Sequence, residues 1–272
     1  IDDIMISFAV EGGSVGPHID QYDVFLLQAQ GHRQWQIENL ARHEPAFRED
    51  SELKLLVEFK PTHTWDLAPG DILYLPPGYA HHGVALDACM TFSVGTRAPS
   101  SAEMITDFID DLAQKLPEYQ RFEDPDLAPC QDPYEIDIDA FERVKKAFSA
   151  MDTATENDRK RWFGEFITRY RASGDISADP TQLTWSKVLI SLHLGQALLI
   201  HPFARLAWNA NGNQAVLYVS GDSFDLPVND AMLICQQKLI DSITFNQLSV
   251  IGQQTLENLY QQGFYQLVSD QT

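Results

Sequence analysis

The chain has 272 residues, 44% hydrophobic and 11% aromatic, enough to bury a substantial core in two or three modules. Its formal charge of −20 argues against nucleic acid as a direct ligand, because neutralising phosphate needs an excess of Lys and Arg, and favours a basic protein partner. There is no run of about 18 apolar residues and no leader pattern, and Cys89, Cys130 and Cys235 offer neither a disulfide framework nor a zinc spacing, so a cytoplasmic protein without membrane association is expected.

From residue 1 to about 98 the signals are all-β. Met5 to Val10 reads as a strand running into the turn Glu11-Gly12-Gly13. A second strand is expected to carry His18 and Asp20 and to continue through Val24-Phe25-Leu26-Leu27, until Gln30-Gly31 breaks it before His32 to Ile37. Leu53 to Phe59 is a further apolar run, and Asp66 to Asp71 is a turn with Pro69 and Gly70 at its tip. Ile72 to Leu75, Ala80 to Leu86 and Met90 to Gly95 complete a set of short strands suited to a sandwich or barrel. Because the chain opens on Ile1 and is at once strand-like, the numbering is expected to start partway through a longer protein.

Helical patterning begins at Pro99. Ser100 and Glu103 have capping-box spacing, and Met104, Ile105, Phe108, Ile109, Leu112 and Leu116 form one stripe. Phe141, Val144, Phe148 and Met151 give a second stripe, and Trp162, Phe163, Phe166, Ile167 and Tyr170 a third. Packing against the barrel and a dimer interface both fit such wide apolar faces. Gly174 to Pro180 reads as a linker. Beyond it a helix over Trp185 to Leu192, strands at Leu198 to Ile200 and Ala215 to Ser220, a helix over Ala231 to Ile240 and another over Leu248 to Gln262 suggest a winged helix. Residues 181–272 carry three basic and six acidic side chains, the wrong sign for binding phosphates, so an interaction or structural module is expected.

The chemistry concentrates in Gly16-Pro17-His18-Ile19-Asp20. On a strand His18 and Asp20 share a face, which supplies an imidazole and a carboxylate together. A second His completes the two-His, one-carboxylate set used by non-haem Fe(II) oxygenases. The best source is Pro76-Pro77-Gly78-Tyr79-Ala80-His81-His82-Gly83, where strand parity allows only one of the two histidines to reach an ion. Arg33 shares a face with Trp35 and Ile37, and a cation aligned with apolar neighbours is costly unless it meets an anion. Thr91 and Ser93 share a face on the last barrel strand, and Met5 and Ser7 on the first, so all four are candidates to line the pocket. Lys54 and Lys60 are the alternative cations.

Residues 1–37, with Gly16-Pro17-His18-Ile19-Asp20-Gln21-Tyr22-Asp23-Val24-Phe25, and Gly70-Asp71-Ile72-Leu73-Tyr74-Leu75-Pro76-Pro77-Gly78-Tyr79 through Ser93 to Pro99, resemble the bacterial ribosomal oxygenases of the JmjC/cupin superfamily. The match is close over residues 1–99 and looser, in the same order, through the rest. The resemblance implies an α+β protein: a double-stranded β-helix (the JmjC/cupin barrel, residues 1–99, lacking an N-terminal piece), a helical dimerisation region (100–174) and a C-terminal winged-helix-like domain (181–272). It implies Fe(II) held by His18, Asp20 and His81, and 2-oxoglutarate and O2 as cosubstrates. Arg33 would hold the far carboxylate, with Thr91, Ser93, Met5 and Ser7 lining the cosubstrate pocket. It further implies hydroxylation of an arginine β-carbon in a basic large-subunit ribosomal protein, with Tyr22 and Asp23 as candidate holders of the cationic head, and a homodimer. The rival readings are a hydroxylase or demethylase acting on another residue such as histidine, a cupin isomerase or dioxygenase with more His ligands, and a non-catalytic cupin binding module.

Overall fold

Side chains that alternate between buried and exposed build the first of two compact units, residues 1–99. The computed structural model describes residues 3–41, 45–119, 121–123, 125, 132, 134–136, 138–170 and 176–269. His43, Cys130, Asp124, Asp126, Asp137, Gly174 and Asp270 lie outside the described residues. Strands β1 (Asp3–Ala9), β2 (His18–Ile19), β3 (Asp23–Gln30), β4 (Arg33–Ala41), β5 (His63–Leu67), β6 (Ile72–Leu75), β7 (Tyr79–Ala85) and β8 (Cys89–Thr96) make two four-stranded sheets, ordered β1-β8-β3-β6 and β2-β7-β4-β5. Each sheet takes strands from both ends of the segment, the winding of a double-stranded β-helix. Val24 and Leu26 on β3, Trp35 and Ile37 on β4, Leu67 and Leu75 form its apolar core.

Two expectations for this unit are corrected. The single strand foreseen from His18 through Leu27 is broken at Asp20–Tyr22: β2 pairs with β7 in one sheet and β3 with β8 and β6 in the other. The chain changes sheets there, so Asp20 follows the end of a two-residue strand, which no periodicity signal marks. Leu53 to Phe59 is not a strand but loop, held by an isolated bridge between Phe47 and Leu56 and by Leu56 N–H donating to the Pro17 carbonyl at 2.9 Å. Leu56 is buried beneath the turn that precedes His18.

The second unit, residues 100–272, opens with α1 (Ser101–Lys115), α2 (Ile138–Phe148) and α3 (Glu156–Arg169). Ser100 and Glu103 form the foreseen capping box, and Thr155 with Asp158 repeats it at α3. Neither α1 nor α2 buries a residue, whereas α3 buries Gly164, Phe166 and Thr168. There follow α4 (Trp185–His193), β9 (Gln196–Ile200), β10 (Leu206–Asn211), β11 (Gln214–Val219), β12 (Asp222–Pro227), α5 (Val228–Gln236), β13 (Leu239–Ile240), α6 (Ser242–Gln247), α7 (Val250–Gln261) and β14 (Tyr265–Ser269). Their sheets run β10-β11-β12 and β13-β9-β14 over one large apolar core.

Here the helix foreseen over Ala231 to Ile240 ends at Gln236, and Leu239–Ile240 pairs with β9 instead. The last helix begins at Val250, with Ser249 as its N-cap accepting from Gly252 N–H. Among the described residues no helix is long and apolar enough to cross a membrane.

Candidate metal centre

Residues from both sheets line one cavity, among them Met5, Ser7 and Ser93 from one sheet and His18, Arg33, Trp35, His81 and Gly83 from the other, with Asp20 and Tyr22 at the crossing between them. His18 on β2 lies directly opposite His81 on β7, and their rings are 4.3 Å apart between centroids. Among the described residues, one ligand atom each from His18, Asp20 and His81 lies within 4.8 Å of the others. His81 Nε2 is 3.6 Å from Asp20 Oδ2.

Backbone carbonyls orient both rings. His18 Nδ1 lies 2.9 Å from the Gly16 carbonyl, and His81 Nδ1 3.0 Å from that of Tyr79. A carbonyl only accepts, so each Nδ1 carries the proton and each Nε2 presents its lone pair. Burial first, then the neighbouring His18, push the His81 pKa down to about 4, which keeps this imidazole neutral near pH 7. Two imidazole nitrogens and one carboxylate oxygen fit a divalent first-row transition metal and leave coordination positions open. His82 turns the other way, its Nε2 2.8 Å from the Ser14 hydroxyl. The two side chains thus lie on opposite faces of β7.

Arg33 is 6% exposed and makes no ion pair among the described residues. Its guanidinium lies 5.0 Å from the Trp35 ring centroid and donates to Gly83 O at 3.3 Å and Ser7 Oγ at 3.4 Å, and its Nε finds no partner. Burial lowers its pKa. A cation desolvated without a counter-charge is expensive, and a carboxylate ligand would offset the cost. Lys54 and Lys60 are exposed and do not line the cavity, and Lys60 pairs with Glu58 at 3.2 Å.

Of the other sequence candidates, Met5, Ser7, Ser93 and Tyr22 line the cavity. Thr91 does not: it is buried and its hydroxyl donates to Gln28 Oε1 at 2.9 Å. Nor does Asp23, whose carboxylate accepts from the Tyr74 hydroxyl at 2.6 Å. Sequence reasoning missed Asp3 and Gly83, both on the lining. The parity that selects Met5 and Ser7 also selects Asp3, two residues earlier on β1; Gly83 sends no side-chain signal.

Comparison with known proteins agrees with this geometry. Residues 1–104 match a JmjC domain and residues 150–266 a ROXA-like winged helix, which places α3 with the winged helix. The chain is 34% identical over 233 residues to the ribosomal protein uL16 3-hydroxylase of Escherichia coli K12, a match covering 85% of this chain and 61% of that protein. It is 30% identical to the solved structure of E. coli YcfD, with a TM-score of 0.76, covering 98% of this chain and 71% of that one. A YcfD structure in complex with cobalt and 2-oxoglutarate matches at a TM-score of 0.72 and covers 98% of this chain and 70% of that one. Two matched domains in the same order, on one continuous structural match, decide the assignment: the chain belongs to the bacterial ribosomal oxygenases of the JmjC/cupin superfamily.

Proposed function

We propose that this protein is an Fe(II)- and 2-oxoglutarate-dependent oxygenase that hydroxylates the β-carbon of an arginine in a basic large-subunit ribosomal protein. The observation that carries the reading is the pairing, in one cavity, of the His18, Asp20 and His81 cluster with a buried Arg33 that lacks a counter-charge among the described residues. The relative acting on uL16 supports the ribosomal substrate, and the YcfD complex with cobalt and 2-oxoglutarate supports the cosubstrate and a divalent metal. The chain spans 61% of that relative's length, so activity and substrate are assigned here as a reading of the site.

Fe(II), with 2-oxoglutarate and O2, supplies the oxidising power that places oxygen in a C–H bond and releases succinate and CO2. The protein's part is position. His18, Asp20 and His81 would hold the ion from one side, their rings fixed by the Gly16 and Tyr79 carbonyls. Arg33 would take the distal carboxylate of the cosubstrate. Trp35, Val24 and Leu26 supply apolar wall that excludes water. Asp3, outside the metal-holding set, lines the same cavity beside Tyr22 and would favour a cationic target side chain.

The same reading includes a cytoplasmic homodimer formed through the helical region. Ile105 on α1 and Phe141 and Phe148 on α2 are exposed in the single chain. Replacing Phe141 and Phe148 with Asp should yield monomers in sedimentation, and an unchanged mass would place the interface elsewhere. Function is tested by incubating the protein with Fe(II), 2-oxoglutarate and basic ribosomal proteins, then mapping added oxygen by tandem mass spectrometry. Oxygen on arginine Cβ supports the reading. Oxygen on histidine or loss of a methyl group would move the substrate, and succinate production on no protein would remove it.

A further inference from the structure

The strand that carries His81 narrows toward Arg33. On β7 the inward positions are His81, Gly83 and Ala85, and the β4 residues directly opposite are Ile37, Trp35 and Arg33. The two largest side chains of β4 thus face the two smallest of β7. A Cβ built on Gly83 would lie 2.7 Å from Trp35 Cη2, 2.8 Å from Trp35 Cζ3 and 2.8 Å from Arg33 Nε. Gly83 is not among the glycines with left-handed backbone, so its lack of a side chain matters here and its conformational freedom does not. Neither neighbour yields easily: the indole is a rigid ring, 5% exposed in the core, and Nε lies midway along the Arg33 side chain.

We propose that Gly83 is a positioning residue for the cosubstrate. The space it leaves lets Arg33 and Trp35 lie side by side across β7, while its carbonyl accepts from the Arg33 guanidinium. A side chain at position 83 would displace the guanidinium from the cavity without touching the atoms of His18, Asp20 or His81 that face the ion. This inference rests on the 2-oxoglutarate reading above and adds a determinant of dicarboxylate affinity to it.

The test is calorimetric binding of Mn(II), then of 2-oxoglutarate to the Mn(II)-loaded full chain without oxygen. Gly83→Ala should weaken 2-oxoglutarate binding about tenfold or more, approaching Arg33→Ala, since hydrogen bonds to charged groups are the strong ones. Mn(II) affinity should stay within about threefold, because the atoms nearest to an added Cβ belong to Trp35 and Arg33 and not to His18, Asp20 or His81. Gly83→Ala/Trp35→Phe removes Cη2 and Cζ3 and should bind 2-oxoglutarate with an affinity between those of Gly83→Ala and wild type. Unchanged 2-oxoglutarate affinity in Gly83→Ala, equal loss of Mn(II) and 2-oxoglutarate, or no recovery in the double variant would each overturn the positioning role. If Gly83→Ala does not fold, the double variant decides, and wild-type affinity there overturns the proposal. Wild-type protein that binds Mn(II) but not 2-oxoglutarate would instead overturn the functional reading itself.

Discussion

His81 is 2% exposed with Nδ1 against the Tyr79 carbonyl, while its neighbour His82 points its ring at Ser14. Replacing His81 with Ala should therefore abolish turnover and reduce Co(II) or Mn(II) binding, whereas His82→Ala should retain both. Metal titration of the two variants checks this, and loss of binding in His82→Ala alone would reverse the assignment. The depressed His81 pKa also predicts how the metal-free protein responds to acid. An unfolded histidine titrates near 6.5 and folded His81 at about 4, so between those values the unfolded chain binds more protons. Its neutral form contributes stability that is complete above 6.5 and is lost as pH falls toward 4. His82 is lowered in the same direction, by burial first. Denaturant midpoints of the metal-free protein should fall between pH 7 and pH 5, and less so in His81→Gln.

The elements of the second unit meet where α3 lies on β11. Gly164, in the interior of α3, sits over the Tyr218 ring so closely that an added Cβ would overlap it. Tyr218 cannot swing clear: it is 3% exposed and its hydroxyl donates to Asn209 Oδ1 at 2.8 Å. Two effects compete in Gly164→Ala. Helix propensity favours Ala by about 1 kcal/mol, while overpacking costs about 1–3 kcal/mol. With a ring anchored at both ends the overlap wins, and a net loss of up to about 2 kcal/mol is expected in chemical denaturation. A stabilised variant would mean that α3 and β11 can separate at little cost. Sequence periodicity placed α3 correctly but grouped it with the two helices before it. Its contacts run both ways: to α1 through Trp162 Nε1, which donates to Asp107 at 2.9 Å, and to the winged-helix strands, where Thr168 Oγ1 accepts from Gly221 N–H and Arg161 pairs with Asp225 at 2.6 Å.

Charge acts on the scale of the whole molecule. Residues 101–140 carry twelve acidic side chains against Lys115 and Arg121, out of a total charge of −20. A field of that sign raises the encounter rate of a basic protein and is screened over about 8 Å at physiological ionic strength. The apparent KM for a basic ribosomal protein or peptide should thus rise with added salt while kcat holds. A KM independent of salt between low and physiological ionic strength would reduce the acidic stretch to a solvated surface.

The sequence by itself determined the elements whose signal is local. Turn residues and period-two patterning located most barrel strands, capping spacing located α1, and strand parity separated His81 from His82. It also named His18 and Asp20 as a pair, although the strand whose face they were expected to share ends at Ile19. Only the tertiary structure decided what depends on distant partners. The crossing at Asp20–Tyr22 exists because β2 and β3 find different sheets, and the engagement of Thr91 by Gln28 and Asp23 by Tyr74 follows from register across strands far apart in the chain. Gly83 shows the limit most clearly. Its contribution is an empty volume beside Arg33 and Trp35, and a volume between two strands exists only once they have paired.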